Sequence, residues 1–148
     1  MYDVRTRYLA DAVATAGPAK LLTMLYDRLL LDLDRAEVAL RAGSRAEGTQ
    51  HLAHAQEIVA EFIANLNVDG EWDGADRLLS VYTYLLSEMI GASSAGDADR
   101  AAACRTVVAP LADAWREAAV VVAADVPTPR AAPVSEGLGA GLGVLGVG

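Results

Sequence analysis

The sequence predicts an all-α fold: an antiparallel four-helix bundle preceded by an N-terminal arm or short helix and followed by a disordered C-terminal tail. Three observations carry this expectation. Between a few breaks that contain glycine or proline, the chain is rich in Ala, Leu, Glu and Arg, all good helix formers. Apolar residues recur every three or four positions, and strand-type alternation is absent. The breaks are short, which makes successive helices antiparallel neighbours. The expected division is an arm over residues 1–17, the bundle over 18–124 and the tail over 125–148.

The first long helix is expected from about Pro18 to Ala42. Pro18 suits a first-turn position, where its missing N–H would have no partner anyway. Leu22, Leu25, Leu29, Leu33, Ala36 and Leu40 form one stripe, and Gly43 ends it. The second helix, about Arg45 to Leu66, opens on Ser44 and Glu47, the spacing of a capping box. Its stripe is Leu52, Ala55, Val59, Phe62 and Leu66, and an Asn-, Asp- and Gly-rich turn follows over Asn67 to Gly74. The third helix, about Ala75 to Ala92, places Leu78, Tyr82, Leu85 and Met89 on one face. After a break at Ser93 to Gly96, Asp97 or Asp99 caps the fourth helix. That helix runs to about Ala123 with Cys104, Val108, Leu111, Trp115, Ala118 and Val122 in register, and Pro110 is expected to kink or split it. From Val126 onward the tail holds three prolines, six glycines and only two charged side chains, Arg130 and Glu136, a composition that does not order on its own.

A chain of 148 residues favours one domain and can bury a core without staples. Cys104 is the only cysteine, so neither an internal disulfide nor a cysteine metal cage can form. That suits a reducing cytoplasm, the expected location. The formal charge of −8 repels phosphate backbones, so no nucleic-acid partner is expected. The opening MYDVRTRYLADAV carries charges throughout and does not read as a secretory signal. No stretch approaches the roughly 20 apolar residues of a membrane helix, so no membrane insertion is expected.

Signals of catalysis are weak, and no cofactor is expected. His51 and His54 lie one turn apart near Glu47, Glu57 and Glu61, a face that a metal could use. A di-metal bundle site, however, wants a Glu-x-x-His on each of two helices. Both histidines are on one helix and neither follows a glutamate by three, so a solvated polar face is the plainer reading. Cys104 falls on a core stripe and reads as a small apolar residue. Residues 137–143, GLGAGLG, superficially suggest a nucleotide loop, but no strand precedes them and no helix follows. More informative is the apolar surplus of the first helix: Leu21, Leu22, Met24, Leu25, Tyr26, Leu29, Leu30, Leu31 and Leu33 cover more than the roughly 100° stripe that a surface helix needs. Either this helix lies at the centre of the bundle, buried on most sides, or part of its face forms a groove for a partner helix.

The run Ala16-Gly17-Pro18-Ala19-Lys20-Leu21-Leu22-Thr23-Met24-Leu25-Tyr26-Asp27 resembles the A-x-P-x-x-L-[ILV]-x-M-L-Y-D signature of the flagellar export chaperone FliS family. Tyr8, Val13 and Thr15 stand at the family's spacing before the proline. Leu66 and the Asn67 turn, then Leu78, Tyr82 and Tyr84, resemble its second turn and L-Y-x-Y element, and Leu111, Ala114 and Trp115 resemble its L-x-x-A-W. The resemblance covers about residues 8–118. Gly17 stands where the family often has serine, Glu71-Trp72-Asp73-Gly74 replaces its Gly-Gly-Glu-Ile, and Ala10, Asp11 and Ala12 replace polar Asn or Gln positions.

The resemblance implies a cytosolic chaperone of flagellar type III export rather than an enzyme. Such a protein binds the C-terminal segment of flagellin, prevents its premature polymerisation and helps deliver it to the export gate protein FlhA. It implies a flagellin groove that includes Leu21, Leu22, Leu25, Tyr26, Leu29, Tyr82 and Trp115, with Tyr8 docking at the gate. A flagellin segment that folds as it binds buries on the order of 1,000–3,000 Å². A monomer or weak dimer is expected when the chaperone is free. Two other readings of the residues stand beside this one: a metal-binding helical-bundle enzyme using His51 and His54, and a structural bundle that oligomerises through the first helix.

Overall fold

The computed structural model describes residues 4–67, 69–70 and 74–125, with side chains over 17–67, 69–70 and 74–121. The expected tail lies outside the described residues beyond Asp125. Four helices make up the described chain: α1 (Val4–Arg41), α2 (Arg45–Ala64), α3 (Gly74–Ala95) and α4 (Ala98–Asp125). No described residue is in a strand. The chain divides into two compact units, Met1–Arg116 and Glu117–Gly148. The first holds the bundle. The described part of the second is the end of α4, where Val120 and Val121 are exposed.

α1 is interrupted at Gly17, whose φ of 83° and ψ of 163° are not helical. An L side chain rarely adopts that φ, and Pro18 restarts the helix with its own φ fixed near the helical value. The turns after α1 and α3 share one construction. Gly43 (φ 83°) and Gly96 (φ 65°) take the left-handed conformation. The next residue's N–H then reaches back five positions, from Ser44 to the Ala39 carbonyl and from Asp97 to the Ala92 carbonyl. This is the Schellman closure of a helix C-terminus. Because Gly96 rather than Ser93 supplies the turn, α3 continues three residues past its expected end at Ala92.

The helix starts differ. Asp97 Oδ1 accepts the N–H groups of Asp99 (3.0 Å) and Arg100 (3.2 Å), so Asp97 is the cap of α4. The expected capping box of Ser44 and Glu47 does not form: Ser44 makes no side-chain cap bond. Its ψ of 79° falls short of the extended cap geometry that would carry the hydroxyl over the first free N–H groups. Pro110 does not split α4, which runs through it. Pro110 and Thr106, whose carbonyl an N–H at position 110 would have bonded, both face water, so hydration replaces the missing hydrogen bond.

Contacts set the antiparallel order. Along α1 and α2, Tyr26 meets Phe62, Asp32 meets His54, and Leu40 lies against Gly48. Along α2 and α3, Phe62 meets Tyr82 and Thr49 meets Ser93. Glu88 on α3 takes a forked pair of bonds from Arg100 on α4, at 3.1 and 3.2 Å. α4 returns along α1 through three ionic rungs: Arg41 with Asp99, Glu37 with Arg105, and Asp27 with Arg116. With the Tyr26 hydroxyl also bonded to that of Tyr82 on α3, α1 touches all three partners, which accounts for much of its apolar surplus. Leu29, Leu33, Leu52, Val59, Leu85, Met89, Cys104 and Val108 fill the centre with no exposed surface.

One charged side chain is sealed in that centre. Asp32 is fully buried between Arg28, whose Nε donates at 3.2 Å, and Nδ1 of His54. The reading of His51 and His54 as a solvated face is corrected in this respect. His54 is half-exposed, but it anchors a buried carboxylate across the α1–α2 interface, and a buried charge left unpaired would be costly.

Candidate functional site

At the end of the bundle where α1 restarts after Gly17, the four helices do not close over their own apolar faces. A groove of about 370 Å³ opens there. Pro18, Leu21, Leu22 and Leu25 of α1 form one wall. Phe62 of α2 and Leu66 just past its end, Leu78 and Tyr82 of α3, and Trp115 of α4 form the rest. Glu61 and Asn65 are the polar side chains on its edge. Asn65 Nδ2 donates to the Glu61 carboxylate (3.1 Å) and to the Glu61 carbonyl (2.8 Å), which ties the edge to the last turn of α2.

The groove is open because of where its stripes end. Leu22, Leu25 and Leu29 lie on one face of α1, since seven residues are nearly two turns. Leu29 is sealed, whereas Leu22 and Leu25 are only partly covered. Phe62 likewise stands in the last turn of α2, and Leu66, two residues past its end at Ala64, is only partly covered.

Aromatic rings build the inner wall. The Tyr26 and Phe62 rings stack at 4.6 Å between centroids, Phe62 and Tyr82 lie at 5.3 Å, and Tyr26 and Trp115 at 6.5 Å. Such pairs add to the packing of the wall beyond the area they bury. The Tyr26 and Tyr82 hydroxyls share a hydrogen bond of 2.6 Å. Burial pushes the pKa of both phenols above its ordinary value, so both are protonated at neutral pH. On the outside, Arg116 bonds Asp27 of α1 at 2.5 Å and Asp113 at 2.9 Å, next to Trp115.

Of the residues expected at the site, Leu21, Leu22, Leu25, Tyr82 and Trp115 line the groove together. Tyr26 and Leu29 do not: both have no exposed surface and support the groove from the core. The Tyr8 side chain lies outside the described residues. Sequence reasoning missed Pro18, which reads only as a helix start, and Phe62, Leu66 and Leu78, whose spacing marks them only as core. The available signal was position, since Pro18 restarts α1 after Gly17, Phe62 and Leu66 flank the end of α2 at Ala64, and Leu78 lies near the start of α3. Tyr82 and Tyr84 diverge as their spacing requires, with Tyr82 buried and Tyr84 half-exposed.

Nothing in the site resembles a catalytic array. Among the described residues, no group of three or more His, Cys, Asp or Glu side chains is placed to hold a metal ion. His51 is 3.9 Å from Glu47 on its own helix, while His54 is committed to Asp32. Cys104 is buried, which pushes its thiol pKa up to about 11 and away from nucleophilic use. No described helix is long and apolar enough to cross a membrane.

A model of the family described as flagellar protein FliS matches residues 1–122. The chain belongs to the FliS family. Two relatives agree in kind. A flagellar secretion chaperone FliS of Bacillus subtilis (strain 168) is 27% identical over 113 residues, covering 76% of this chain and 84% of the relative. A flagellar secretion chaperone FliS of Escherichia coli (strain K12) is 24% identical over 108 residues, covering 72% of this chain and 79% of the relative. The M-L-Y-D run of this FliS-family chain, Met24 to Asp27, coincides with the groove wall. Leu25 faces the opening, Tyr26 braces the aromatic wall from behind, and Asp27 fastens α4 beside Trp115.

Proposed function

We propose that this FliS-family protein is a cytosolic flagellar secretion chaperone that binds the C-terminal segment of flagellin in the groove between Leu22, Leu25, Phe62 and Trp115. The observation that supports this reading is the groove itself, an apolar trough bounded by four helices and left uncovered by the chain's described residues. An amphipathic helix with anchors at i, i+3 or i+4 and i+7 suits such a trough. Occupying it would hide flagellin surface that otherwise drives polymerisation, and would hold the subunit for delivery to the export gate protein FlhA, with Tyr8 as the docking residue. Binding and release suffice for this role, so it involves no catalytic step.

The test is a titration of the full chain with the C-terminal segment of the cognate flagellin, followed by circular dichroism and calorimetry. The segment is expected to gain helix and to bind at micromolar concentration or tighter. Leu22→Asp is expected to keep the fold and lose the binding. A wild-type protein that leaves the segment unbound and unfolded at that concentration would overturn the reading. For the gate, Tyr8→Ala is expected to keep flagellin binding and to reduce export; unchanged export removes that role.

A further inference from the structure

The buried pair of phenols behind the groove leaves one proton over. Two protonated hydroxyls carry two donors, and their mutual contact of 2.6 Å uses one. The other side-chain partner of the pair is Trp115, beside Tyr26, and an indole N–H can only donate, so it takes up neither phenol proton and the assignment turns on exposure. Tyr26 has no exposed surface, and Tyr82 is 3% exposed and lines the groove. Were Tyr82 to donate to Tyr26, the Tyr26 proton would be left buried without an acceptor, at a cost of about 1–3 kcal/mol. With Tyr26 donating to Tyr82, the Tyr26 proton is used, and the proton left over belongs to Tyr82, the member of the pair that lines the groove. Phe62, packed against both rings, holds the pair in place.

We infer that Tyr82 is a specificity-determining residue of the groove, and that it donates a hydrogen bond to an oxygen acceptor carried by the bound segment. The acceptor is a side-chain carboxylate, amide or hydroxyl placed among the segment's apolar anchors. This rests on the reading that the groove holds the flagellin segment, and it adds a polar requirement to that reading. An all-apolar stripe would cover Tyr82 and strand its proton. A segment with an acceptor in register satisfies it in a site shielded from water, where one missing partner discriminates strongly. Tyr26 acts through Tyr82, as a positioning residue that orients the hydroxyl.

The experiment is calorimetric titration of the full chain with the C-terminal segment of the cognate flagellin. Wild type is compared with Tyr26→Phe, Tyr82→Phe and the double variant, each against segments whose polar residues are replaced by alanine one at a time. The double variant removes both hydroxyls and so leaves no phenol proton unpaired, while Trp115, which is only partly buried, can turn its N–H to water. Tyr82→Phe and the double variant are expected to bind about five- to tenfold more weakly. Tyr26→Phe, which keeps the Tyr82 donor but no longer orients it, is expected to bind about two- to threefold more weakly. One segment position should lose affinity against wild type and lose nothing against the double variant, a coupling that a merely structural role would not produce. Binding of the double variant within twofold of wild type, or no coupled position, overturns the inference and leaves the proposed function standing. Failure of the wild type to bind the segment overturns both.

Discussion

The two ends of the bundle use the same leucine stripe and reach opposite outcomes. At the sealed end, Leu29, Leu33 and Ala36 of α1 share the core with small residues of the other helices: Gly48, Ala55, Ala92 and Ala101 are all buried. These let the helices approach closely. A Cβ at Gly48 would lie 2.5 Å from Leu40 Cδ2. At the open end the same stripe, at Leu22 and Leu25, meets Phe62, Tyr82 and Trp115. Large rings braced by Tyr26 hold the helices around a trough and cannot collapse into it. The difference shows that leucine content alone does not leave a groove open. What decides is whether the facing residues are small enough to close the gap or large and rigid enough to keep it open.

Truncation should separate the ends most sharply. Leu29→Ala at the sealed end is expected to cost about 2–5 kcal/mol in urea unfolding, since a buried leucine leaves a cavity. Leu22→Ala is expected to cost less than about 1 kcal/mol and to act on binding instead. Equal losses at the two sites would erase the distinction.

Alkali should attack the sealed end next. Burial holds the Cys104 thiol at about 11 in the folded chain, above its ordinary 9.0. A raised folded value gives stability that is fully present below pH 9 and lost as pH rises towards 11, because the unfolded chain gives up the proton first. The loss is worth roughly 2–3 kcal/mol. Tyr26 and Tyr82, also raised by burial, extend the loss above pH 10. Thermal melts at pH 8 and pH 11 should show a larger drop for wild type than for Cys104→Ala; equal drops would mean that the thiol is not sealed.

The helix caps give the smallest effects. Asp97→Ala removes a bond to two N–H groups and is expected to cost about 1 kcal/mol, whereas Ser44→Ala should change stability by no more than about 0.5 kcal/mol. A costly Ser44→Ala would restore the capping box.

The four helices were legible in the sequence because their periodicity is local: the stripes, the glycine stops and the Asp97 cap need no knowledge of neighbours. Ser44 was misleading, since Gly43 and Gly96 build similar turns but leave the two following side chains in different geometry. Asp32 was illegible. A lone aspartate among leucines reads as a solvent-facing residue, and its burial depends on His54 of α2, 22 positions away. The groove was legible on α1, where Leu21, Leu22 and Leu25 exceed what one stripe needs, and at Tyr82 and Trp115 through the family pattern. Its other walls were not, since Phe62 and Leu78 obey the same spacing as residues that are sealed. Tyr26 and Leu29 belong to the same run as the groove leucines, and only the stacking of Phe62 and the closure around Leu33 put them behind it.

The central claim is that the partly covered trough beside Trp115 is where the flagellin segment sits. It is tested most directly by the fluorescence of Trp115 in a Trp72→Phe background, titrated with that segment. The account predicts a saturable blue shift with the same midpoint as the calorimetric binding curve, abolished by Leu22→Asp. Binding seen by calorimetry while the Trp115 emission stays unchanged would place the segment elsewhere and contradict the account.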